Sequence, residues 1–296
     1  MVTLRRNFAK SIKVMSYKRI LTIQDISCVG QCSLTVALPI LSASGNETCI
    51  LPSAVLSTHT GGFKGYTFRD LTDDIPAIAK HWISEGIDFD AFYTGYLGTA
   101  RQVELVMNII NSPLRKSDAH IIIDPAMGDN GVFYSGMGGE FLSAMKRLIT
   151  MADIIIPNVT EACMLTGIEY RTQYDADYIR KIVDGLLGII GEGKTVVITG
   201  VGFREGETGV GVYSKGNSFH YPHVKLEKNV SGTGDIFASA FTGALMNGIS
   251  TQESAKIAAD FTLAAIKETI ENPVHWYGVK FETVLGRYIQ RVGGGV

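Results

Sequence analysis

The chain has 296 residues, with 27 Lys and Arg against 29 Asp and Glu, and 46% of it is hydrophobic. A net charge of −2 offers nucleic acid no general attraction, and no apolar run reaches the ~18 residues that span a bilayer. This length and composition suit one large α/β domain with a full core.

Residues 1–17 carry Arg5, Arg6, Lys10 and Lys13 and no acid. They read as a basic, disordered N-terminal extension, and 18–296 as a single domain. From residue 19 strand-like and helix-like segments alternate. Residues 20–24 predict a buried strand. Residues 33–44 predict a helix that contains Pro39 and ends at Gly45. A strand at 48–51, a helix at 75–85, a strand at 91–94 and a helix at 101–111 follow. Residues 120–123, nearly all isoleucine, predict a central parallel strand. Next come a helix at 141–149, a strand at 153–156, helices at 160–165 and 175–190, and a strand at 195–198. The more polar stretches 209–213 and 218–221 read as an antiparallel pair at one sheet edge. Apolar residues at 236, 237, 240, 241, 244 and 245 give one helix face. Ser250 and Glu253 form a capping box for a helix to about residue 269, which Asn272-Pro273 stops.

Such alternation implies a parallel sheet covered on both faces, with ligands at the carboxyl ends of its strands. Polar groups collect in the loops at that end. Asp25 follows the first strand. His59 and Thr60 lie in a glycine-rich loop, 57–66, that reads as a flap over a small substrate. Tyr96, Asp124, Asp129, Asn158, Glu161 and Thr199 follow later strands. Asp124, Asp129 and Glu161 are hard oxygen donors suited to Mg²⁺, though each alone also reads as a turn or cap. Asn158 and Glu161 fit a capping box, which is compatible with binding a metal through water.

The stretch Val230-Ser231-Gly232-Thr233-Gly234-Asp235 precedes the helix at 236–246. Its glycines allow a tight turn, and the free amides of a helix start favour an anion. Asp235 beside such a hole makes sense as a base that deprotonates a hydroxyl while the hole holds the phosphoryl group under attack. Taken alone, the same residues read equally as a turn with an N-capping acid. Cys28, Cys32, Cys49 and Cys163 match no zinc or redox spacing and read as reduced thiols of a cytosolic protein. A nicotinamide dehydrogenase is set aside, because no Gly-x-Gly-x-x-Gly follows the first strand.

The motifs occur in the same order as in the pyridoxal kinases, vitamin B6 kinases of the ribokinase-like superfamily, and the chain resembles that family over about 19–270. They are Leu21-Thr22-Ile23-Gln24, His59-Thr60-Gly61, Thr94-Gly95-Tyr96-Leu97-Gly98, Ile123-Asp124-Pro125-Ala126-Met127-Gly128-Asp129, Pro157-Asn158-Val159-Thr160-Glu161 and Gly232-Thr233-Gly234-Asp235. The resemblance implies a three-layer α/β/α fold with a mostly parallel sheet and antiparallel edge strands. It implies ATP-dependent phosphorylation of the 5′-hydroxymethyl group of pyridoxal, pyridoxamine or pyridoxine. Asp235 would be the base, and Gly232, Thr233 and Gly234 the hole for the γ-phosphoryl group. Asp124, Asp129, Asn158, Glu161 and Thr199 would lie on the nucleotide and its cations, Mg²⁺ and a monovalent ion such as K⁺, with Asp129 and Glu161 toward the metal. Asp25, His59, Thr60 and Tyr96 would surround the ring. The family usually forms homodimers, and the thiols place the expected location in the cytoplasm.

Three residues depart from the family pattern. Asp25 replaces the usual serine that faces the ring nitrogen, and a carboxylate there favours a protonated pyridine. Ile156 stands where threonine is common, which bears on the monovalent cation. The flap sequence Gly62-Phe63-Lys64-Gly65-Tyr66 also differs. The nearest rival is a hydroxymethylpyrimidine kinase of thiamine synthesis, a branch that often has cysteine where this chain has Thr233. A non-catalytic vitamer-binding protein is the rival from another class.

Overall fold

The computed structural model describes residues 17–226, 230–272 and 274–293. The basic extension falls almost wholly outside the described residues. Short runs rich in isoleucine and valine form the central strands. β1 (Arg19–Ser27), α1 (Leu34–Ala43), β2 (Glu47–Leu56), β3 (Phe68–Asp70), α2 (Ile75–Ser84), β4 (Phe89–Thr94), α3 (Ala100–Ile110) and β5 (Arg115–Ile123) come first. A small hairpin, β6 (Gly128–Asp129) and β7 (Val132–Phe133), leads to α4 (Gly139–Ile149), β8 (Ile154–Ile155), α5 (Val159–Thr166), α6 (Ala176–Ile190) and β9 (Thr195–Thr199). β10 (Glu207–Ser214), β11 (Asn217–Val224), α7 (Thr233–Met246), α8 (Thr251–Ile270), a 3₁₀ turn (Glu282–Val284) and α9 (Leu285–Val292) complete the chain.

The sheet order is β11-β10-β9-β8-β5-β4-β1-β2-β3. Strands β9, β8, β5, β4, β1 and β2 run parallel, and β10 and β3 turn antiparallel toward the two edges. The resemblance therefore has its fold. The hairpin β10–β11 sits at the edge foreseen. The β3 edge was not foreseen, because its three residues are all exposed and carry no apolar alternation. β5 begins at Arg115 rather than residue 120, since its polar first half continues the strand with little burial.

Strand side chains alternate between two cores. Leu21, Ile23, Phe92, Ile121, Ile123 and Ile198 pack under α2 to α6. Ile20, Tyr93, Ile122 and Val197 pack under α1, α7, α8 and α9. Both faces are thus dry, as a parallel sheet requires. Among the described residues no helix is long and apolar enough to cross a membrane.

β1 pairs in parallel with β2 on one side and β4 on the other. The chain leaves β1 through α1 toward β2, then returns through α2 to β4. The order reverses at β1, and the crevice at such a switch is where α/β sheets bind ligands. The β1–β2 ladder slips between Gln24 and Ile26, so Asp25 stands at an irregularity of the kind that re-aims a side chain.

Candidate active site

Gly232 caps α7 in the left-handed region, with φ 87°. A Cβ there would lie 2.2 Å from the Gln31 carbonyl oxygen, so only glycine satisfies both the backbone and the packing. Ile236 N–H donates to Gly232 O at 3.0 Å and starts the helical ladder. Thr233, Gly234 and Asp235, whose amides precede that bond and are free of the helical ladder, line the cavity, and such free donors favour an anion.

The Asp235 carboxylate accepts the Ser33 N–H at 2.9 Å. Burial pushes this carboxyl up to about 6; the Ser33 bond opposes that shift and the charge of Asp25 adds to it. The loop that supplies Ser33 is unusual. Gln31 and Ser33 take φ of 47° and 52° without being glycine. Each such residue costs on the order of 1–2 kcal/mol. The surrounding contacts must hold that loop in place.

At one end of the cavity the acids gather. Both Glu161 oxygens accept backbone amides, from Met127 at 3.0 Å and Asn158 at 2.9 Å. Asn158 Oδ1 accepts Glu161 N–H at 2.9 Å, which completes the expected capping box of α5. Asn158 Nδ2 donates to Gly128 O at 2.9 Å and stitches α5 to the loop after β5. Thr199 bridges to Asn158 at the end of β9. Asp129 is exposed and accepts both the amide and the side chain of Asn130, at 2.8 and 3.1 Å. Asp124 is buried and accepts no hydrogen bond from a described side chain. Burial, then the charges of Glu161 and Asp235, hold the Asp124 carboxyl well above its ordinary range. Burial likewise takes Glu161 to about 8, against the pull of its amide bonds.

Among the described residues no lysine or arginine pairs with Asp124, Asp129, Glu161 or Asp235. Uncompensated buried carboxylates suit a divalent cation. No three His, Cys, Asp or Glu side chains among the described residues form a ready metal cage. That donor set fits Mg²⁺, which usually takes one or two carboxylates together with phosphate oxygens and water.

Asp25, His59, Thr60 and Tyr96 line the other end. Asp25 is buried, and Ser27 Oγ donates to it at 2.9 Å. Burial raises its carboxyl, opposed by hydrogen bonds from the Ser33 and Ser27 side. His59 Nδ1 accepts the Gly61 N–H at 2.9 Å, so the ring proton is on Nε2, which donates to Tyr277 O at 2.8 Å. Both ring nitrogens are therefore spent on backbone. Tyr96 is half-buried, its phenol raised by burial and by Asp25.

These two ends form one cavity of about 590 Å³. All thirteen residues singled out from the sequence line it, from Asp25 through Tyr96, Asp124 and Thr199 to Asp235. Its size is that of a small-molecule site. Sequence reasoning missed Cys32, Ser33, Tyr134 and Ser135, which also line it. Ser33 acts through its amide, which no side-chain pattern reveals. Burial and Asp235 push the Cys32 thiol up to about 12, so it stays protonated and inert. Ile156 lines the wall, and its side chain offers no oxygen. A second cleft, about 580 Å³ between α6 and the β10–β11 hairpin, contains none of these motifs.

The model of the phosphomethylpyrimidine kinase family matches residues 47–278. The pyridoxine kinase of Bacillus subtilis (strain 168) is 32% identical over 202 residues, covering 66% of this chain and 69% of that protein. Among solved structures, the pyridoxal kinase of Lactobacillus plantarum superposes with a TM-score of 0.86 at 30% identity, covering 94% of this chain and 98% of its own. A Bacteroides thetaiotaomicron protein, provisionally described as a phosphomethylpyrimidine kinase and crystallised with pyridoxal, gives 0.86 at 36% identity, over 92% of this chain and 96% of that one.

Proposed function

The chain belongs to the phosphomethylpyrimidine kinase family, and on that premise we propose that it is a pyridoxal kinase, transferring the γ-phosphoryl group of ATP to the 5′-hydroxymethyl group of a vitamin B6 ring. One observation carries the reading: Asp235, raised to about 6, lies beside the amides of the α7 start in a cavity that has acids at one end and Asp25 with Tyr96 at the other. Asp235 takes the hydroxyl proton as the oxygen attacks the γ-phosphorus. The bond from that phosphorus to the β–γ bridging oxygen breaks, and ADP leaves with the electron pair. The hole of Gly232, Thr233 and Gly234 steadies the charge on the moving phosphoryl oxygens.

Asp124, Asp129 and Glu161, with Asn158 and Thr199, face the nucleotide. Asp129 and Glu161 would hold Mg²⁺ there, and the ion would supply positive charge against that of the phosphates. A monovalent ion such as K⁺ finds no side-chain oxygen at Ile156. Thr60 and Tyr96 flank the ring, and His59 shapes the flap. Asp25 supports a preference for a ring whose nitrogen is protonated. The motifs' resemblance supports a homodimer over 18–296, and four unpaired cysteines support the cytoplasm.

The family model's own description favours a second reading, a hydroxymethylpyrimidine kinase. Thr233 in the anion hole and the pyridoxal held by the Bacteroides relative weigh against it. ADP release from Mg-ATP with pyridoxal, pyridoxamine, pyridoxine and hydroxymethylpyrimidine decides. Turnover on a B6 vitamer is expected. Turnover on the pyrimidine alone would move the protein to thiamine synthesis, and silence on all four would leave a binding protein.

A further inference from the structure

The segment 275–278, between α8 and the 3₁₀ turn, lies against the flap from outside the cavity. Phe63 is the contact. Its ring centroid lies 4.7 Å from Trp276, 6.0 Å from Tyr277 and 5.1 Å from His59. Gly62 next to it has φ 86°, and a Cβ there would meet the Trp276 ring at 2.8 Å. The indole therefore rests directly on the flap backbone. Tyr277 O accepts the His59 Nε2–H, and this bond fixes the tautomer that lets His59 Nδ1 hold Gly61.

The same segment reaches the loop that carries Ser33. A Cβ at Gly278 would lie 2.3 Å from Gly30 O, and His275 Nε2 is 2.9 Å from Gln31 Oε1. The neck of the flap has its own ties, Ser57 N–H to Thr67 O at 3.1 Å and Thr67 N–H to Ser57 Oγ at 2.9 Å. Its tip, by contrast, is held by residues more than two hundred positions away. Trp276 remains half-exposed, so burial of the indole is not what the contact serves.

We propose that Trp276 and Tyr277 form a strap that locks the flap over the ring-binding end of the cavity, with Phe63 as the element it grips. They are positioning residues for Thr60 and His59, and they select for the phosphoryl acceptor rather than for the nucleotide. The role of the strap in turnover rests on the vitamer-kinase reading; its grip on the flap does not.

The test uses the full chain with Trp276→Ala, Trp276→Phe and Phe63→Ala. Hydrogen exchange of the unliganded protein is followed over peptide 57–67. Trp276→Ala should speed exchange there about tenfold while the peptide holding Asn158 and Glu161 stays unchanged, and Trp276→Phe should restore most protection. The vitamer KM should rise about tenfold in Trp276→Ala with the ATP KM unchanged within error. Phe63→Ala removes the same contact from the flap side and should repeat both effects. Unchanged exchange at 57–67 would overturn the strap. Faster exchange with both KM values raised alike, or neither raised, would overturn its selective role. A wild type silent on every vitamer would overturn the substrate reading, and the exchange comparison would still decide whether the strap grips the flap.

Discussion

The nucleotide end and the ring end of the cavity are made in opposite ways. The acids at the nucleotide end are held by neighbours: Glu161 bonds Asn158 three residues away and Met127 thirty-four away, all at adjacent strand ends. The ring end is tied across the chain. Ser33 reaches Asp235 over 202 positions, His59 reaches Tyr277 over 218, and Gln31 reaches Glu282 over 251. The first end comes nearly free with the sheet, because capping and strand pairing already place its groups. The second needs loops in costly conformations, kept there by distant contacts. If the proposed roles hold, the acids of the nucleotide end are the part the sheet itself fixes, and the ring end is the part that distant contacts can adjust.

That contrast can be broken most sharply where the two ends meet. Asp235→Asn should cut kcat on the order of 10²–10⁴-fold with the fold intact. Full turnover in the variant would remove Asp235 as the base, and thermal melting checks the fold. Gly232→Ala drives a methyl group into Gln31 O and distorts the hole. It should lower kcat on the order of 10²-fold and weaken nucleotide binding, read by steady-state kinetics and ADP titration.

Asp25→Ser touches only the ring end. It should shift relative kcat/KM among the vitamers about tenfold, away from those with a protonated ring nitrogen, because a charge-assisted hydrogen bond is replaced by a neutral one. It should also move the pH profile. As the proposed base, Asp235 acts deprotonated, so kcat/KM should rise with pH through about 6. Asp25 helps to raise that value, so its removal should carry the ascending limb to lower pH. A limb that stays in place would mean the two carboxylates act independently.

The smallest effects belong to the nucleotide end. Asn158→Ala removes half the capping box and should cost about 1 kcal/mol of stability, a melting temperature lower by about 2–4 °C, with vitamer preference unchanged. Glu161 adds a pH signature. Its folded value, about 8, is above that of an unfolded glutamate, so the folded state keeps the proton longer. Its contribution to stability is full below the unfolded value and fades as pH rises toward 8. Denaturant midpoints at pH 5 and pH 8 should show that fall, and Glu161→Gln should flatten it.

The same contrast explains what the sequence made legible. Isoleucine runs, the Asn158–Glu161 box and the glycines before α7 are local signals, and each has its element in the structure. Asp25, Tyr96 and Asp124 were placed by the rule that ligands gather at strand ends. Ser33 was invisible because its backbone amide does the work. The left-handed Gln31 gave no sign, since nothing local asks for that conformation. No local pattern marks Trp276 and Tyr277, and only the folded chain brings them to Phe63. β3 was unreadable for the reason already given, its lack of apolar alternation.

The long ties also set an order of assembly. A growing chain has made every group of the nucleotide end once Asp235 exists, whereas Tyr277, the partner of His59, comes later, by several seconds at the usual ~5–20 residues per second of synthesis. In that interval the ring end still lacks the tie that holds its flap, and one sheet face still waits for α8 and α9 to cover it.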